Sequence, residues 1–185
     1  MKIGFDLDGV IIDHTFAKIK LAADLGFNIT KKDTPSEILK TILPKKNLDE
    51  LRKTLYGKNH VESSLLDGSK KIIQEIVLHG LPFFLVSRRN PGIFISAAIK
   101  FLKKEGFWPK YFNETNSFFV VEKEDKNTKA KELGITHYFD DEPDVLEKLK
   151  SVKNRFLFDN HNVFPEKSFY TKISSWKDIK KQLHI

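Results

Sequence analysis

The sequence has no cysteine among its 185 residues, which excludes disulfide staples and thiolate metal sites. It also lacks any apolar run near the roughly 20 residues that a membrane-crossing helix requires, because Gly, Pro or charge interrupts its greasiest stretches. No internal repeat or low-complexity linker divides it. The histidines lack the paired helical spacing of a zinc site, so His14, His60, His79, His137 and His161 are assigned no chemistry. A concentrated basic arm is missing too. The net charge is +7, but the lysines are spread in pairs from Lys31-Lys32 to Lys180-Lys181, which speaks for solvated helix faces over a nucleic-acid groove. The opening Met1-Lys2-Ile3 enters a strand with no secretory signal, so a cytoplasmic location is expected.

What is present suits one domain with a small insertion: 40% of the residues are hydrophobic, enough for a core without staples. Strand and helix signals alternate, the pattern of a doubly wound, Rossmann-like α/β fold with a parallel sheet. Short runs rich in Phe, Val, Leu and Ile predict buried strands at 2–6, 81–87, 117–121, 137–140 and 155–159. A helix over 69–79 places Ile72, Ile73, Ile76 and Val77 on one face. Another is expected to be capped by Asn90, with Pro91 in its first turn, and to bury Phe94, Ala97, Ala98, Phe101 and Leu102 before Gly106. Between Asp13 and Leu66 the strand signal vanishes. Helical spacing of Phe16, Ile19, Ala22 and Ala23, then of Leu48, Leu51 and Leu55, predicts a small helical cap over 13–66, inserted after the first strand into a core made of 1–12 and 67–185. The tail reads as a short strand and a helix from Ser174 or Ser175, with Trp176, Ile179 and Leu183 inward.

Polar residues gather where predicted strands end, which is where open parallel sheets bind ligands. Asp6-Leu7-Asp8-Gly9 follows the apolar Ile3-Gly4-Phe5, and a turn at Gly9 lets two carboxylates converge. Ser87 ends the second strand, followed by Arg88 and Arg89. Lys126 opens the helix through Ala130 and Leu133, offering a point charge to an anion. Asp140-Asp141-Glu142-Pro143-Asp144 caps the next strand with hard oxygen donors of the kind Mg²⁺ prefers. An ordinary Asp-Gly turn explains the first pair but none of the other three sites.

These four sites, in this order, resemble the motifs of the haloacid dehalogenase superfamily of phosphohydrolases over nearly the whole chain. The stretch from Lys126 through Lys131-Glu132-Leu133-Gly134-Ile135 to Asp140-Asp141, with the tail Phe156-Leu157-Phe158-Asp159 and Ser175-Trp176-Lys177-Asp178-Ile179, is similar to the 5'(3')-deoxyribonucleotidase branch. The resemblance implies Asp6 as nucleophile and Asp8 as general acid and base. It implies phosphate held by Ser87, Arg88 and Lys126, and Mg²⁺ held by Asp6, Asp8 through its main-chain carbonyl, Asp140 and Asp141. The implied substrate is a small phosphorylated metabolite, a nucleotide by the narrower match and a sugar or other phosphomonoester by the broader one. Asp140 is left between metal ligation and orientation of Lys126, Asp144 between metal and helix start, and Arg88 and Arg89 between a clamp on a second phosphate or a base and a solvent-facing turn. A non-catalytic, basic nucleic-acid-binding module is the reading from another class; clustered carboxylates oppose it by repelling a bare polyanion.

Overall fold

The computed structural model describes residues 1–57 and 63–185. Six parallel strands form one sheet in the order β5-β4-β1-β6-β7-β8: β1 (Ile3–Phe5), β4 (Phe83–Arg88), β5 (Ser117–Val120), β6 (His137–Asp140), β7 (Asn154–Phe158) and β8 (Thr171–Ile173). Helices α4 (Ser69–Leu78), α5 (Ile93–Lys104), α6 (Lys123–Leu133), α7 (Pro143–Lys148) and α8 (Trp176–Leu183) connect and cover them. This is the α/β, doubly wound architecture that the alternation of elements predicts. Because every strand runs the same way, all six C-terminal ends share one edge. The order reverses at β1, whose neighbours β4 and β6 lie far apart in sequence, and this switch point opens a crevice beyond the strand tips.

Aromatic side chains hold the sheet against its helices. Phe5 stacks on Phe139 and on Trp176, both at 5.3 Å between centroids, and Phe139 on Phe156 at 4.7 Å. The buried Trp176 donates its indole N–H to the Val10 carbonyl at 2.7 Å, tying α8 to the chain leaving β1. Gly4 lies under Tyr138: a Cβ there would be 2.5 Å from the ring, so β1 and β6 approach closely only because that residue is glycine.

The insertion consists of α1 (Thr15–Asp24), a 3₁₀ turn at Lys31–Asp33, α2 (Ser36–Ile42) and α3 (Lys45–Tyr56). Ala17, Leu21, Ala22, Leu39, Leu43, Leu48, Leu51 and Leu55 pack into a cluster of their own. Two-residue strands β2 (Ile12–Asp13) and β3 (Ser64–Leu65) pair antiparallel across the point where the chain leaves and returns to the sheet domain. Such short segments carry no periodic signal, which is why they were not expected.

Four packing expectations are corrected. Helix α1 buries Thr15, Ala17, Lys18, Leu21 and Ala22, and leaves Phe16 and Ala23 exposed with Ile19 only half-buried; the polar Lys18, not Phe16, turns inward because it faces the site. Helix α5 starts at Ile93, not at Asn90 or Pro91, since Arg89 first extends the strand edge by bonding the Val120 carbonyl and Gly92, at φ +89°, makes the turn. Its Ala97 is only half-buried, while Ala98, Phe101 and Leu102 are inside. Val77 is exposed, because the buried stripe of α4 runs Ser69, Ile72, Ile73, Ile76 and leaves the helix end in solvent. Among the described residues, no helix is long and apolar enough to cross a membrane.

Candidate active site

The crevice beyond β1, β4 and β6 is a cavity of about 490 Å³, lined from the sheet by Asp6, Asp8, Arg88, Arg89, Lys126 and Asp141 among others, and from the insertion by residues of α1 and α3. Asp6 directly follows β1, and its amide bonds the Phe139 carbonyl, so the pairing of β1 with β6 fixes its position. Lys126 lies on the inward stripe of α6 with Ala130; Lys123 turns instead to Glu142, and Lys129 to Glu132. The buried Lys126 ammonium donates to Asp6 Oδ1 at 2.6 Å and to Asp140 Oδ2 at 2.8 Å. The structure thus brings four sequence-distant segments to one point.

The three carboxylates of this cluster are engaged to different degrees: Asp6 accepts from Lys126 through Oδ1 alone. Asp140 accepts from Lys126 with one oxygen and from the Glu142 amide at 3.0 Å with the other, so the orientation of Lys126 is one of its roles. Asp141 makes no hydrogen bond among the described residues. Oxygens of Asp6, Asp140 and Asp141 lie within 4.8 Å of one another. Burial raises the proton affinity of all three: Asp140 is pushed up to about 7, with Lys126 opposing and Asp6 adding to the rise, and Asp141 is raised further by Asp140 and Glu142. Hard oxygen donors crowded at this spacing, one of them unpartnered, fit Mg²⁺, whose charge would relieve the repulsion. Gly9 makes room for them. At φ +77°, a Cβ there would stand 2.2 Å from Asp141 Oδ2. Gly9→Ala is therefore expected to lose about 1–3 kcal/mol of stability from backbone strain and to displace Asp141. Urea melts and Mg²⁺ titration of activity check it, and wild-type values for both would contradict this account.

The Asp8 side chain stands apart from that trio. One terminal nitrogen of Arg89 reaches its two oxygens at 2.6 and 2.7 Å, and His14 Nε2 lies 2.7 Å from Oδ1. Burial alone would raise its pKa, but Arg89 and His14 hold it well below the usual carboxylate range. His14 in turn bonds Ser63 at 2.6 Å and meets the Tyr56 ring edge-on, while Arg89 lies over that ring at 5.1 Å. Arg88, the arginine expected at the phosphate, is the exposed one, with Glu142 as its partner at 3.9 Å. Alternation along β4 explains the exchange: Ser87 and Arg89 face inward and Arg88 outward. The Ser87 hydroxyl is buried with no partner among the described residues, which leaves a donor open near the tip of β4.

Asp144 is outside the cluster. It lies in the first turn of α7, its amide bonded to Glu37 of the insertion at 3.0 Å. His14, which sequence reasoning gave no role, is a site residue; its only signal was a position six residues after Asp8. Lys18, Arg52 and Tyr56 were missed as well, because helical spacing reports which face is turned in and not what it meets. His60 lies outside the described residues.

The six-stranded parallel sheet in this order, with helices on its faces, is the fold seen in solved hydrolases of the haloacid dehalogenase superfamily. Solved structures similar to this chain include a hydrolase of that superfamily from Ehrlichia chaffeensis (TM-score 0.63, 13% identity, covering 99% of this chain and 95% of that one). Others are a family IA, variant 3 hydrolase from Entamoeba histolytica (0.61, 15%, 96% and 94%) and a family hydrolase from Deinococcus radiodurans with bound phosphate and sodium (0.62, 14%, 98% and 94%). No protein-family model and no curated protein matches the sequence.

Proposed function

We propose that this protein is a Mg²⁺-dependent phosphatase that hydrolyses a small phosphomonoester through an aspartyl phosphate on Asp6. The observation that carries the reading is the buried Lys126 bonded to both Asp6 and Asp140, with the Ser87 hydroxyl buried and unpartnered among the described residues near the tip of the neighbouring β4. Lys126 opposes the protonation that burial favours at Asp6 and Asp140, and together with Ser87 it provides donors for phosphate oxygens. A carboxylate of Asp6 attacks phosphorus; the bond from phosphorus to the ester oxygen breaks, and Asp8 passes a proton to the departing alkoxide. Water then attacks the phosphorus of the aspartyl phosphate, Asp8 takes its proton, and the Asp6 carboxylate is regenerated with release of phosphate. His14, bonded to the same oxygen of Asp8, is placed to share that proton, and the Arg89 contact must loosen for Asp8 to carry it.

Asp6, Asp140 and Asp141 would hold Mg²⁺, with the Asp8 carbonyl, and the ion would offset repulsion between anionic nucleophile and phosphate. The proposed organisation is a catalytic core of residues 1–12 and 67–185 under a cap of 13–66. The resemblance of the Lys126 to Asp141 stretch and of the tail to nucleotidases favours a nucleotide as the phosphomonoester, and the cavity of about 490 Å³ falls within the about 300–1,000 Å³ usual for small-molecule sites. A cytoplasmic setting, where such metabolites are found, accords with this activity. Phosphate release from a panel of nucleotides, sugar phosphates and phosphorylated acids, with Mg²⁺ and with EDTA, tests the proposal. Turnover with Mg²⁺ that chelation abolishes is expected; salt-sensitive duplex binding without any turnover would instead support the nucleic-acid module.

A further inference from the structure

The geometry points to a phosphomonoester that carries a second anionic group, a carboxylate or another phosphate, held between Arg52 and Arg89 under the cap. This inference rests on the phosphatase reading and names its substrate class. The floor of the cavity is acidic, with Asp6, Asp140 and Asp141 gathered for a metal, and its own cation, Lys126, is occupied by two carboxylates. The opposite wall is basic. Lys18 and Arg52 from the cap, with Arg89 from the end of β4, face the same space, and Asp49 is the acid that α3 sets among them. One phosphate monoester and the metal satisfy the floor; nothing in that pair uses the wall.

Two features leave donors of the wall open. Arg52, half-buried, makes no hydrogen bond or ion pair among the described residues while lining the cavity. Arg89 is 7% exposed; its terminal nitrogens reach Asp8 and the Phe94 carbonyl, but its Nε is buried without a partner among the described residues. Arg52 and Tyr56 are one helical turn apart on α3, Arg89 lies over the Tyr56 ring at 5.1 Å, and all three line the same cavity. Neighbouring cations in a partly desolvated cleft repel unless an anion sits between them. A neutral leaving group gains nothing from this arrangement, and a bare nucleobase finds Tyr56 already covered by Arg89 and met edge-on by His14. A nucleotide therefore belongs to this class when it bears a second phosphate. The second anion would also give Arg89 a partner other than Asp8.

The test uses the full chain with Mg²⁺ and phosphonates, which are not hydrolysed. Calorimetric titration compares ω-phosphonocarboxylates of one to four methylenes with alkylphosphonates of equal length, and an arm of α,ω-bisphosphonates distinguishes a carboxylate from a second phosphate as the preferred anion. The best dianionic ligand is expected to bind about 10- to 100-fold tighter than its alkyl counterpart, the range for a charge-assisted contact. Arg52→Gln should shrink that ratio to within about threefold, and Arg52→Lys should restore part of it. Alkylphosphonates that bind as tightly as the dianions, a ratio unchanged by Arg52→Gln, or no binding of either series would each overturn the inference. Because binding alone is read, a failure of all esters to release phosphate would remove the phosphatase reading and leave this ratio to decide the second.

Discussion

Under the proposed mechanism, Asp6→Asn is expected to lower phosphate release by about 10⁴-fold or more while leaving the protein folded. The substitution keeps the size of the side chain and an oxygen that accepts from Lys126, but removes the electron pair that would form the bond to phosphorus. Stability should not fall. Burial, Asp8 and Glu142 all raise the proton affinity of Asp6, so its charge is held against opposition and with Lys126 as its direct partner. A neutral amide relieves part of that repulsion. Acid-quenched wild-type enzyme, mixed with substrate, should retain a phosphoryl group that hydroxylamine cleaves, and Asp6→Asn should retain none. Activity within tenfold of wild type, with the fold verified by circular dichroism, would assign the nucleophile elsewhere.

Lys126→Met carries a double penalty, on activity and on stability. Removing the ammonium leaves Asp6 and Asp140 buried without their shared cation, which costs about 3–5 kcal/mol when one partner of a buried pair is lost. Loss of a donor to the phosphate adds about 10²–10³ in rate. The pH dependence separates this account from simple damage to the core. Burial already makes the two carboxylates bind protons more tightly in the folded than in the unfolded chain, and without Lys126, the contact that opposes this, the difference grows. Groups whose folded pKa is raised stabilise the fold below the unfolded value, and that contribution disappears as pH rises through the folded value. The stability deficit of Lys126→Met should therefore be smallest at acid pH and largest above neutrality, while its residual activity rises with pH as Asp6 ionises. Urea midpoints measured from acid to alkaline pH with EDTA check the first, and a pH–rate profile checks the second. A deficit independent of pH would show that Lys126 contributes packing alone.

Local physics alone made much of this protein legible. Runs of aromatic and branched residues such as Phe83 to Val86 cannot be left in water, so the sheet strands and their alternation with helices followed from period and length. Asp6, Ser87, Lys126 and Asp140-Asp141 were visible because each stands at the end of such a run or a fixed spacing from one. Ser175, accepting from the Asp178 amide, starts α8 where a hydroxyl before an apolar stripe predicted it.

Other features are set by contacts across the chain, which no local pattern encodes. Arg88 and Arg89 are equivalent in sequence, and only the pleat of β4 against β5 decides which one turns inward to Asp8. His14 and Tyr56 become partners because the insertion folds back over the strand tips, and Lys18 is buried because its face of α1 meets the site rather than solvent. Sequence by itself thus determined the sheet and the acids at its edge, through burial and periodicity that act over a few residues. Tertiary structure decided which cations answer those acids, since a long charged side chain takes its partner from whatever the packed neighbours place within about 4 Å, where Coulomb energy in a desolvated cleft is large.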